Sequence, residues 1–136
     1  MAELDYRQWE PAPAHADVVR CLWSLRGRAD GEPQPIVSDG CVEIVINLAD
    51  AFEQVLDSGK TWRQPLAMIV GPTAKPTIVR PTGAIDIVGI RIQPWAAASL
   101  LGVSIATLRD KCVALEKVVG PPLAALRLRL LDCAED

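Results

Sequence analysis

The stretch "SDGCVEIVINLAD", residues 38–50, decides the fold class. From Cys41 to Ala49 its residues alternate between two sides of an extended chain. Val42, Ile44, Ile46 and Leu48 fall on one side, and Cys41, Glu43, Val45, Asn47 and Ala49 on the other, because successive strand side chains point oppositely. A helix would scatter the four aliphatic residues around its circumference, and the β-branched content of the run also favours a strand. The reading is a half-buried strand over 41–49, with one face on a core and the other free to be wet. Asp39 and Gly40 read as the turn that leads into it, Asp by accepting a backbone N–H and Gly by tolerating positive φ.

Working outward, "VVRCLWSLRG" alternates in the same way, with Val19, Cys21, Trp23 and Leu25 on one side, and ends at Gly27. "AFEQVLDSGKTWRQP" reads as a hairpin with Asp57-Ser58-Gly59-Lys60 at its turn. "LAMIVG", "PTIVRPTG" and "IDIVGIRIQ" are further short β-rich runs between Gly and Pro, giving roughly six to eight strands before Pro94. The opening "MAELDYRQWEPAPAHAD" reads as an extended arm that drapes Tyr6 and Trp9 over apolar surface.

At Pro94 the pattern changes. "PWAAASLLG" has proline at a first helical position and Gly102 at a stop, Ser104 can cap "IATLRDK", and "PLAALRLRLLDCAED" sets Leu123, Leu126, Leu130 and Cys133 at helical spacing. Strands come first and helices last, so an α+β fold is expected: a β-barrel or sandwich over residues ~15–93 followed by C-terminal helices. The whole of 1–136 is expected to form one domain, an arm and barrel over 1–93 and a helical segment over 94–136. The leucine stripe must bury against the barrel or against a copy of itself.

Composition narrows the function classes. The chain has 136 residues, half of them hydrophobic, and a formal net charge of −3. Its Lys and Arg are dispersed, so direct contact with nucleic acid by this segment is not expected. No leader pattern opens the chain and no apolar run approaches the roughly 20 residues that span a bilayer, so a cytoplasmic protein without membrane contact is expected. Cys21, Cys41, Cys112 and Cys133 never occur as C-x-x-C, and His15 is the only histidine. No metal, no cofactor and no catalytic activity are expected, since there is no second histidine and no nucleophile elbow.

The succession "CLW", "SDGCVEIVINL", "IVGPTAKPTIVRPTG" and "DIVGIRIQPWAAASLLG" resembles, in order and spacing from about Tyr6 to Leu131, the N-terminal sensor domain of a subgroup of AraC-family transcriptional regulators. Cys21, Trp23, Asp39, Gly40, Cys41, Glu43, Gly71, Pro81, Thr82, Gly83, Gly89, Arg91 and Pro94 carry the resemblance. Ser38, Ile92 and Trp95 depart from the usual pattern. The resemblance implies a cupin-like barrel with linker helices that senses a small-molecule effector, forms a homodimer and controls transcription through a C-terminal helix-turn-helix domain. That domain, on the order of 100 residues, is expected to lie outside these 136 residues. The alternatives are a small cupin-like enzyme or metal-binding protein, and a purely structural oligomerisation module.

Within the resemblance, Trp23, Glu43, Trp62, Arg91 and Trp95 are the ligand-binding candidates, and Leu123, Leu126 and Leu130 the dimerisation candidates. Trp23 and Trp62 offer flat walls with an N–H handle, or simple core packing. Glu43 reads as an exposed carboxylate or as the ion-pair partner of Arg91. Arg91 is expected to project away from the barrel core, or to anchor an anionic effector.

Overall fold

A computed structural model describes residues 4–28, 32–36, 41–73, 76–119 and 125–132. Its strands are β1 (Leu4–Trp9), β2 (Val19–Arg28), β3 (Gln34–Ile36), β4 (Val42–Asn47), β5 (Phe52–Val55), β6 (Thr61–Arg63), β7 (Ala67–Val70), β8 (Thr77–Pro81), β9 (Ala84–Ile92) and β10 (Cys112–Ala114). Among the described residues two short α-helices follow the long strands, α1 (Ala97–Leu101) and α2 (Leu126–Asp132). The strands form two antiparallel sheets: six strands in the order β1-β2-β9-β4-β7-β10, and four in the order β3-β8-β5-β6.

The alternation of residues 41–49 becomes β4, a central strand between β9 and β7. It is buried on both faces, where one wet face was expected. Val42, Ile44 and Ile46 face a core completed by Ile69, Ile92, Ala97, Leu101, Leu108 and Leu115. The opposite face points toward the second sheet, where Val45 joins Met68, Ile85 and Ile87. A central strand sandwiched by two layers leaves no wet side, so its alternation separates two interiors rather than core from solvent. Each fully buried isoleucine contributes about 1.5–3 kcal/mol of transfer free energy.

Turn chemistry fixes the smaller sheet. Gly59, at φ 86°, turns the β5–β6 hairpin, and Leu56 N–H donates to Lys60 O at 2.8 Å. Between β8 and β9, the Asp50 carboxylate accepts from Ala84 N–H at 2.8 Å and Thr82 Oγ1 donates to Ala51 O at 2.6 Å. A Cβ on Gly83 would collide with that Asp50 carboxylate.

Two expectations are corrected after Pro94, while the extended N-terminal arm gains a partner strand. The N-terminal arm is strand β1, in register with β2 from Leu4↔Gly27 to Trp9↔Leu22; a partner strand supplies what its weakly patterned sequence does not. The sheet does not end at Pro94, because β10 pairs with β7. It can do so because Gly71 lets the backbone of Leu108 come close, while Asp110, at φ 58°, bends the chain toward the sheet with its N–H donating to Pro72 O. The segment after 94 is therefore only partly helical. Gly102, at φ 72°, ends α1 as expected, but Ser104 caps only a single 3₁₀ turn at Ile105–Thr107.

Leu126 and Leu130 rest against the core beneath the six-stranded sheet, whereas Leu128 is 64% exposed. Ser38, Asp39, Gly40, Leu123 and Cys133 lie outside the described residues. Among the described residues no helix is long and apolar enough to cross a membrane.

Candidate functional site

Between the two sheets lies a cavity of about 140 Å³. One wall is the inner face of the six-stranded sheet, contributed by Trp23 and Leu25 of β2, Glu43, Val45 and Asn47 of β4, and Met68 of β7. Phe52 and Gln54 of β5 and Val79 of β8 face them from the smaller sheet. The residues between strand ends, Asp110 and Lys111 among them, line the end from which β10 enters.

Trp23 reaches Glu43 across an intervening strand because that strand carries a glycine. Trp23 is directly opposite Gly89 of β9, and Gly89 is directly opposite Val45 of β4. A Cβ on Gly89 would overlap Trp23 Cε2, Cζ2 and Nε1, so only glycine leaves room for the indole to lie flat over β9. In that position Trp23 Nε1–H donates to Glu43 Oε1 at 3.0 Å. The outer side of the arrangement is closed by Tyr6, whose ring stacks with Trp23 at 6.2 Å between centroids.

Arg91 and Glu43 are cross-strand neighbours, and Arg91 Nε donates to the same Oε1 at 3.0 Å. The ion pair is 25% exposed at Arg91 and 15% at Glu43. Arg91 thus lies on the inner face with Glu43, where projection away from the core was expected: in an antiparallel ladder, directly opposite residues share a face. A carboxylate this enclosed needs such partners, and two donors on one oxygen meet much of its desolvation cost.

Of the five sequence-derived ligand candidates, the structure brings Trp23, Glu43 and Arg91 together and leaves two apart. Trp62 is on β6 opposite Gln54, outside the cavity wall. Trp95 is 72% exposed and its Nε1–H donates to Asp17 O at 2.9 Å, tying the N-terminal segment to the start of α1. Sequence reading did not single out Val45, Phe52, Gln54, Met68 or Cys112 as wall residues. Phe52 and Val45 carried an alternation signal, but nothing in the chain says which of two buried faces holds a void.

Further polar groups of the cavity are engaged with the fold. Asn47 donates to Asp50 O and accepts from Ala49 N–H, both at 2.9 Å, and Gln64 Nε2 donates to Gln54 Oε1 at 3.4 Å. Cys112 directs its thiol at Met68 Sδ, and burial pushes that thiol up to about 11. A thiol held protonated in this way is a poor nucleophile. Among the described residues no three His, Cys, Asp or Glu side chains converge where a metal ion could sit.

Residues 7–114 match the model of the DUF6597 family, described as a domain of unknown function. No curated protein matches the sequence significantly. Among solved structures, a serine-to-alanine variant of Bacillus subtilis oxalate decarboxylase is similar at a TM-score of 0.37 and 13% identity, over 75% of this chain and 33% of that one. A second structure of the Bacillus subtilis enzyme, concerned with its Mn(II) centres, has a TM-score of 0.37 and 14% identity over 86% of this chain and 41% of that one. The chain thus spans well under half the length of either. With its match running from the middle of β1 to the end of β10, the chain belongs to the DUF6597 family.

Proposed function

We propose that the chain is the ligand-sensing domain of an AraC-type transcriptional regulator, a non-catalytic, cytoplasmic unit that binds a small molecule between its sheets and passes the event to its C-terminal segment. The observation that carries the reading is the cavity between the sheets, with largely apolar walls and a half-buried ion pair at one edge, the usual make-up of a small-ligand site. The ordered motif resemblance supplies the regulatory context, including control of transcription through a DNA-binding domain elsewhere in the regulator.

The route from cavity to C-terminus is short. β4 presents Val45 and Asn47 to the cavity and Ile44 and Ile46 to the layer against which Leu126 and Leu130 rest. Arg127 of α2 also donates from Nε to Asn47 O at 2.8 Å. A ligand that shifts β4 would therefore change the seat of α2, which is the differential contact a coupled response requires. The homodimer belongs to the same proposal. Its contact would use the outward Leu128 and Leu131 rather than the inward Leu126 and Leu130.

The test is a thermal-shift screen of the full chain against a library of small organic molecules, with the cavity-filling variant Val45→Phe alongside. A genuine effector at a hundredfold excess over its Kd would stabilise the wild type by about 2.7 kcal/mol and leave Val45→Phe unmoved. A library with no saturable hit, or hits that persist in Val45→Phe, overturns the reading. Stoichiometric iron, zinc or manganese in the purified protein would favour the metal-binding alternative.

A further inference from the structure

Resting on the reading of the cavity as a ligand site, we propose that its ligand is a neutral, single-ring molecule carrying an N–H or O–H group, which Glu43 Oε2 accepts as a hydrogen bond. Size sets the first limit. A cavity of about 140 Å³ is of the order that admits benzene, so a single ring fills it and a fused ring system would extend beyond it. Shape sets the second, since the Trp23 indole and Phe52 contribute flat apolar surfaces to the walls.

Glu43 sets the polar requirement. Its Oε1 already accepts from both Trp23 Nε1 and Arg91 Nε. Both of these donors sit on Oε1 and the Glu43 side chain keeps 15% of its surface exposed, so Oε2 is the oxygen left for a ligand. The space that Glu43 borders is the cavity. A carboxylate oxygen there can only accept, so the matching ligand group is a donor.

Charge selects a neutral molecule. The Glu43 carboxylate is balanced by Arg91, and at the β10 end Asp110 and Lys111 add one charge of each sign. An anion would meet the second Glu43 oxygen head-on, and a cation would lie beside the Arg91 guanidinium. A neutral donor meets neither penalty.

The experiment titrates the full chain with phenol, anisole, toluene and benzoate at pH 7, following ligand-observed NMR and the indole N–H signals. Phenol is expected to bind at least about tenfold more tightly than anisole or toluene, the factor that a hydrogen bond to a charged acceptor supplies, and benzoate is expected not to compete. In Glu43→Gln the phenol-to-toluene ratio should fall severalfold while toluene affinity is kept. The three neutral probes decide the matter on the wild type even if that variant does not fold. Toluene or anisole binding as well as phenol, or benzoate binding best, overturns this ligand class and leaves ligand sensing standing. Failure of all four probes also overturns the class, and the library screen then judges the sensing reading separately.

Discussion

Replacing Gly89 with alanine should dismantle the Trp23–Glu43 contact with one methyl group. The added Cβ would occupy the place of Trp23 Cε2, Cζ2 and Nε1. The indole cannot simply tilt, because Tyr6 stacks against it and Glu43 holds its N–H at 3.0 Å. Overpacking of this kind costs about 1–3 kcal/mol, and loss of a hydrogen bond to a charged acceptor costs about 1.5–3 kcal/mol more. Alanine returns about 0.4–1 kcal/mol by restricting the unfolded chain. The net expectation is a loss of about 2–5 kcal/mol, or about 6–15 °C in Tm for a domain of this size. Urea unfolding at constant m measures the loss, and the Trp23 indole N–H resonance, assigned through Trp23→Phe, reports the displaced ring. A Gly89→Ala, Trp23→Leu double variant has no ring to displace, so there the alanine should cost less than about 1 kcal/mol. A Gly89→Ala protein within about 0.5 kcal/mol of wild type, with the Trp23 resonance unmoved, would refute the reasoning.

Other positions give independent checks. Gly71→Ala should cost more than Gly89→Ala, above about 3 kcal/mol, because its Cβ would strike the Leu108 carbonyl, which is backbone and cannot swing aside; an equal or smaller loss in urea unfolding contradicts this. A hydrogen bond from Arg80 above all, then one from Thr61, holds the Glu53 carboxyl below its ordinary 4.5. With the folded value depressed, its stabilisation is present above the unfolded pKa and disappears as pH falls through the folded one. The stability gap between wild type and Glu53→Gln should accordingly stay constant from neutral pH down to that region and close below it, and a gap that widens in acid sinks the assignment. Cys112 titrates in the opposite sense: with burial raising its thiol to about 11, its contribution holds below the unfolded value of 9.0 and is lost as pH rises through the folded one. Native Cys112 should form thiolate about a hundredfold less readily than the unfolded chain at pH 8, so fast labelling by a disulfide reagent in the native state would contradict its burial.

The strands of this fold were legible wherever alternation was strong. β2, β4, the β5–β6 hairpin, β7, β8 and β9 all stand close to where side-chain periodicity set them. The elements that were missed share a different cause. β1, β3 and β10 are held by their partner strands, β1 by β2, β3 by β8 (in a stretch whose Gly and Pro read as a loop) and β10 by β7, and none carries more local signal than a loop. The expected C-terminal helices shortened for a related reason. Leu101, Leu108 and Leu115 are apolar to fill the core under the sheet, and they reach it by tight turns as well as by helix. Apolar spacing reports that a residue is buried, and a 3₁₀ turn satisfies it as readily as an α-helix does.

The site was legible in its charges and not in its shape. Pairing Glu43 with Arg91 was among the sequence readings because a carboxylate on a strand needs a cationic partner if it is buried, and charge complementarity survives the step from chain to fold. The same reading gave Trp23 and Trp62 equal standing as flat cavity walls and added Trp95, yet of the three only Trp23 reaches the cavity. What separates it from Trp62 and Trp95 is not its own identity but the residue opposite it. Gly89 lies 66 positions away along the chain and directly across the ladder. It leaves the surface of β9 bare, so the indole can cross to β4, deliver its N–H to Glu43 and keep one face on the void. In the sequence Gly89 is a gap in a largely aliphatic strand, which alone would be read as a weakness. Its meaning exists only in the register, and register is what pairing adds to pattern.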